Sequence, residues 1–185
     1  VFGTANFSHA AVKNNAVVTT LTDINNINKI EVYGNVELYI SDATSDQVKV
    51  YNKYYSESAL VQSKNGTLRI SSYSPEKLIV WVSAKDLYSV SAYDNAQVRS
   101  FGEISKIDFS VDLHDNAYAN LNLDVYSANI NVADHAKADL NGNADEMTLR
   151  HNYSATVNNY SFKAVHLTEN KVNFPAEVKD DVAGI

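Results

Sequence analysis

Three aspartates, Asp94, Asp115 and Asp134, recur at intervals of 21 and 19 residues. Carboxylates at a regular interval are the first chemistry this sequence offers. Stacked about one strand spacing apart they repel, and a calcium ion, which takes several oxygen ligands, would relieve that. The competing assignment is turn formation, because short Asx side chains satisfy turn amides. The nine-residue Gly/Asp repeat of calcium-binding β-helices is absent. Turn formation is therefore the expectation, no cofactor is expected, and the ladder Asp94, Asp115, Asp134 is kept as a candidate metal site.

The other reactive side chains are weaker leads. His9, His114, His135, His151 and His166 show no i, i+4 helical spacing of a zinc enzyme. His114 and His135 fall near one corner of the repeat, where a two-His site with Asp115 or Asp134 competes with plain surface loops. The chain has no cysteine, which removes disulfides, thiolate nucleophiles and Cys-type zinc sites. No Gly-x-Ser-x-Gly elbow and no Gly-rich phosphate loop occurs among the six glycines. A carbohydrate-active enzyme needs two acids in dissimilar surroundings. No such asymmetry is visible, and no catalytic residue is expected. Tyrosine is the better lead: 12 residues are interleaved with Asn, Asp and Ser, a mixture suited to sugar rings and hydroxyls or to protein contacts. Tyr54-Tyr55, in a polar connection, is the pair expected to be exposed and to contact a ligand.

Charge narrows the partners. The formal net charge is −7. Through Val90 acids and bases balance, eight to eight, whereas from Ser91 onward fourteen acids face seven bases. Such a domain is a poor partner for nucleic acid or an anionic lipid surface. The longest apolar run, Leu78 to Val82, is far below the ~20 residues of a membrane helix, so no membrane insertion is expected. The chain does not begin with Met, and an export signal is expected to have preceded it.

The elements that must carry these residues are strands. Val36 to Ile40, Val48 to Val50 and Leu68 to Ile70 alternate apolar and polar, and Leu78 to Val82 reads as a strand covered on both faces. Asn65-Gly66 is a hairpin signal, since both residues tolerate positive φ. From Leu87 the chain repeats. Anchored on Ala96, Ala117, Ala136 and Ala155, apolar columns align: Tyr88, Phe109, Ala128 and Met147; Val90, Val111, Ile130 and Leu149; Ala92, Leu113, Val132 and His151; Val98, Ala119, Ala138 and Val157. A period of 19–21 residues made of strands predicts one coil of a β-solenoid per repeat. After Ser161 the register blurs, as expected of a last coil that caps an open edge.

The run Ile24 to Ile40, then Gln47 to Val50, Asn65 to Ile70, Leu78 to Val82 and Asp86 to Val90, resembles the opening of the putative auto-transporter adhesin head GIN domain, a family of exported Bacteroidetes proteins. The resemblance covers residues 21 to 171 and implies a β-helix-like fold and a cell-surface adhesive role. The family's turns usually read small-Gly-small-Gly; here they read Asp94-Asn-Ala96, Asp115-Asn-Ala117, Asp134-His-Ala136 and Tyr153-Ser-Ala155. Asp and Asn reach left-handed conformations nearly as Gly does.

The sequence thus predicts an all-β chain, a short parallel β-helix or solenoid with 19–21-residue coils preceded by N-terminal strands. Residues 1–20 form an extension and 21–185 one domain, with strands over 21–86, coils over 87–171 and a cap over 172–185. The expected function, as the resemblance implies, is non-enzymatic binding of a glycan or an extracellular or envelope protein through a Tyr/Asn/Asp-rich face, at the cell surface or in the periplasm. A rigid envelope scaffold is the alternative, and a carbohydrate-active enzyme the third reading.

Overall fold

The computed structural model describes residues 18–21, 24–51 and 59–172. These residues form strands and no helix: β1 (Val18–Leu21), β2 (Lys29–Gly34), β3 (Val36–Asp42), β4 (Gln47–Tyr51), β5 (Ala59–Lys64), β6 (Thr67–Ser72), β7 (Leu78–Ala84), β8 (Ser89–Ala92), β9 (Gln97–Ser100), β10 (Ile104–Leu113), β11 (Tyr118–Val132), β12 (Lys137–His151) and β13 (Thr156–Lys171). All belong to one sheet, curled into a half-barrel. The hairpin at Asn65-Gly66 forms as its sequence predicts, with both residues at positive φ and β5 antiparallel to β6.

The columns read from the repeat are real neighbours. Val90, Val111, Ile130 and Leu149 pair in that order across parallel strands, all at most 1% exposed. Ala92, Leu113, Val132 and His151 do the same one pleat along. The stack also continues backwards, because Ile30 pairs with Val90 and with Leu68, and Leu38 with Val98 and Val80. β2 and β3 therefore open the same parallel stack, with β6 and β7 beyond them. Burial of the inward columns is the main stabilising term, since each strand alone covers only one side of its apolar residues.

Two readings change. Tyr88 is 43% exposed and leaves its column, and Leu87, 2% exposed, takes the inward place. Leu78 to Val82 is not covered on both faces: Leu78, Val80 and Val82 point inward, while Ile79 and Trp81 stand half-buried outside. Trp81 is accommodated there by Tyr39, its cross-strand partner, which stacks on it at 4.6 Å.

The blurred register after Ser161 has a specific cause. Between β12 and β13 the pairing slips from Asp139↔Asn158 to Asn141↔Ser161, so β13 carries one extra residue. Beyond it the columns resume one position late, with Leu167 beside Met147, Glu169 beside Leu149 and Lys171 beside His151. Two inward columns thus end in charged residues, and His151 Nε2 meets Glu169 Oε1 at 2.9 Å. Inward charges on a terminal strand disfavour the addition of a further strand.

Outside the sheet, Glu37 gathers the Tyr39 hydroxyl at 2.9 Å, Arg99 Nε at 3.1 Å and Lys77 Nζ at 3.6 Å. Burial by itself pushes the Glu37 pKa up, but the Tyr39 hydrogen bond and the Lys77 and Arg99 cations outweigh it and hold the pKa below its ordinary 4.5. A depressed folded-state pKa gives stability that is present above the unfolded value and lost as pH falls through the folded one. Glu37→Gln should therefore flatten the fall in stability below about pH 4.5. Urea midpoints measured from pH 7 to pH 3 check this; identical acid limbs in both proteins would contradict it.

Candidate binding face

Asp94, Asp115 and Asp134 have φ of 60°, 56° and 54°, the left-handed backbone their turns require. Each is followed two residues later by a buried alanine whose N–H closes the turn, as Ala117 N does on His114 O at 3.0 Å. The Asp115 N–H donates to Asp134 Oδ2 at 2.9 Å, and the Asp94 N–H to Asp115 Oδ2 at 3.0 Å. The series ends on Gly34, whose N–H donates to Asp94 Oδ2 at 3.1 Å. The Tyr73 hydroxyl donates to the same oxygen, also at 3.1 Å. Each carboxylate thus bonds a backbone N–H of the preceding corner. Among the described residues no group of three or more His, Cys, Asp or Glu gathers to hold a metal.

His114 and His135 do not converge. His114 lies in an aromatic column with Tyr33 and Tyr93, stacked on Tyr93 at 4.9 Å, its Nε2 3.2 Å from Asp112 Oδ1. His135 is exposed, one residue beyond Asp134. Tyr54 and Tyr55 lie outside the described residues.

The remaining rings differ in cover: some are stacked, while others, among them Tyr126 and Tyr160, are exposed with no ring contact among the described residues. Ladder rings have their faces covered by neighbours: Tyr33 on Tyr93 at 4.6 Å, Tyr39 on Trp81 at 4.6 Å, and Tyr118 under the Arg99 guanidinium at 5.3 Å. Such stacks hold adjacent strands together and leave mostly ring edges for a ligand. Tyr126 is different. It is 56% exposed and makes no ring contact or hydrogen bond among the described residues.

Tyr126 stands over a groove of about 560 Å³ that crosses β10 to β13 where those strands bend. Alternation breaks at this bend, where Tyr126 and Ser127, and one strand along Asp145 and Glu146, are consecutive positions outside the core. One wall is the paired series Ser105, Asp124, Asn143 and Lys163; the other carries Tyr126, Asp145 and Val165. Between them lie Val125, Ala144 and Ala164, the last two small enough to leave the trough open. Asn143 Nδ2 donates to Asp124 Oδ1, fixing both planar groups. Lys106 is held by Asp42 and by the Lys85 carbonyl. Neither Asp145 nor Lys163 has a hydrogen bond or ion pair among the described residues, so both are available to a ligand. The sequence reading counted Tyr126 among many tyrosines. The signal that singles it out is the exposed column Ile107, Tyr126, Asp145, Val165 at a repeat offset of 19 to 20 residues.

A family model described as putative auto-transporter adhesin, head GIN domain, matches residues 26–172. The chain belongs to this family. Solved structures share the fold of this GIN domain. A putative adhesin from Bacteroides fragilis, 14% identical, superposes with a TM-score of 0.73 over 88% of this chain and 78% of its own. A putative adhesin from Parabacteroides merdae, 13% identical, gives 0.69 over 85% and 78%. A putative lipid binding protein from Parabacteroides distasonis, 10% identical, gives 0.68 over 86% and 79%. At these identities the likeness is one of fold. No curated protein matches the sequence.

Proposed function

We propose that this GIN domain is a non-enzymatic binding module, exported to the cell surface or periplasm, and that it recognises carbohydrate in the groove beside Tyr126. The parallel stack, read as a short β-helix with 19–21-residue coils, is its rigid support. One observation carries the reading: among the described residues, Tyr126 alone combines an exposed, unstacked ring with a concave, polar trough. An open ring face suits the apolar face of a sugar. Asp124, Asn143, Asp145 and Lys163 supply acceptors and donors for hydroxyls. The adhesin description of the family agrees with external partners. A glycosidase acting in this groove would have to use Asp124 and Asp145, and both stand in the open trough. Glycoside hydrolysis needs one acid in an apolar pocket and the other solvated.

The test is a glycan and extracellular-protein array with wild type and Tyr126→Ala, in calcium and in chelator. A glycan hit weakened at least tenfold by Tyr126→Ala, with an unchanged thermal midpoint, is the expected result. Retained binding would remove Tyr126 from the site. Hits confined to proteins would replace carbohydrate by a protein partner, and no hit at all would turn the assignment to an envelope scaffold.

A further inference from the structure

A second hollow, of about 660 Å³, lies at the Asx corner and is lined by Asn116, Tyr118, His135, Lys137 and Ser154. Its composition runs against the domain. The half of the chain from Ser91 holds fourteen acids and seven Lys or Arg, yet no acid lines this hollow, whose lining includes Lys137 and the His135 ring. Neither Lys137 nor His135 has an ion pair among the described residues. The nearby acids are engaged elsewhere. Asp134 accepts the Asp115 N–H at 2.9 Å, and Asp139 accepts the Tyr118 hydroxyl at 2.6 Å. Burial, then the hydrogen bond to Asp139 and its charge, raise the Tyr118 pKa, so this hydroxyl stays protonated and directed at Asp139. At the fourth corner Tyr153 replaces the aspartate, and Lys171 lies 4.5 Å above its ring. The Asp ladder thus stops where the hollow opens on Ser154. Backbone donors are also used, since the N–H groups of Asn116 and His135 bond to Asp94 O and Asp115 O at 2.9 Å. What remains is a set of side-chain donors: the Lys137 ammonium, the His135 ring, the Asn116 amide and the Ser154 hydroxyl.

We propose that this hollow binds an anionic substituent, a sulfate or carboxylate, carried on a saccharide. Donors on three successive corners suit a compact group of several oxygens. A saccharide is favoured over an anionic membrane because the domain as a whole is acidic and is repelled by an extended negative surface. The hollow and the Tyr126 groove are both built on β11 and β12. The saccharide rests on the function proposed above, whereas the anion is argued from the hollow alone.

The experiment separates the two. Inorganic sulfate is titrated into the labelled domain and followed by amide chemical shifts. A sulfated oligosaccharide, its desulfated counterpart and phosphatidylglycerol vesicles are then compared by affinity. Sulfate should shift the amides of Asn116, His135, Lys137 and Ser154; shifts spread over the other lysines would overturn the site. The sulfated sugar should bind at least tenfold tighter than the neutral one. Lys137→Ala should abolish that preference, and Tyr126→Ala should weaken both sugars while preserving their ratio. A ratio near one in wild type, a ratio unchanged by Lys137→Ala, or capture by vesicles alone would overturn the proposal. Should neither sugar bind, the sulfate shifts still decide the hollow, and only the carbohydrate reading falls.

Discussion

Gly142→Ala is expected to destabilise the domain by about 3 kcal/mol or more. Gly142 lies inside β12, paired with Leu123 on one side and Phe162 on the other. A Cβ there would stand 1.9 Å from the Leu123 carbonyl oxygen and 2.8 Å from its carbon. These are backbone atoms of the neighbouring strand, and moving them breaks the parallel ladder on both sides. The φ of 106° adds a conformational cost that no side chain escapes. Gly102→Ala is the control. Its φ is also positive, 83°, but a Cβ would meet nothing within 4 Å. It should cost only about 1 kcal/mol. Urea denaturation of both variants measures the difference. Equal costs would mean that backbone conformation, and not the close approach of β11, makes residue 142 a glycine.

That glycine shows where the sequence is legible and where it is not. The inward columns could be read because burial acts on residue type directly: a position facing the core in every repeat must be apolar in every repeat. Val90, Val111, Ile130 and Leu149 obeyed this, and so did the corner alanines Ala96, Ala117 and Ala136, which are fully buried. The part played by β2 and β3 was hidden for a geometric reason. Residues 43–96 intervene between β3, which carries Leu38, and β9, which carries Val98, so this pairing does not recur at the period of the later strands. The extra residue in β13 hid its pairing in the same way, by shifting its columns one place.

The candidate site was harder to see, because exposed residues are not constrained by packing. Tyr33, Tyr39, Tyr93, Tyr118 and Tyr126 are one residue type in the sequence. They become different things only when their neighbours are known. Four are covered by a ring or a guanidinium from an adjacent strand. Tyr126 has the small Ala144 and Ala164 in the trough beside it and nothing on its ring. Cross-strand neighbours are set by register, and outward columns tolerate mixed types, so this distinction required the fold. The second hollow was masked likewise, since a net charge of −7 conceals Lys137 and His135, two positions apart on one corner with no acid lining the hollow beside them.

The aspartate ladder gives the second large effect. Asp115 does two things: its backbone takes φ of 56°, and its carboxylate accepts the Asp94 N–H at 3.0 Å. Asp115→Ala loses both, leaving a partly buried N–H without its acceptor and forcing a Cβ residue with no local hydrogen bond into the left-handed region. Together these should cost about 2–4 kcal/mol. Asp115→Gly keeps the backbone conformation and loses only the acceptor, about 1–3 kcal/mol. Asp115→Asn keeps both, because an amide oxygen accepts the same bond and Asn tolerates positive φ, and should cost less than about 1 kcal/mol. The order Ala, Gly, Asn should hold equally in calcium and in chelator. A metal ladder predicts otherwise: calcium would raise the wild-type midpoint, and Asp115→Asn, having lost the charge, would forfeit that gain. Thermal midpoints of the four proteins in the two buffers separate the cases. The separation rests on the amide, which reproduces the carboxylate's geometry and lacks only its charge.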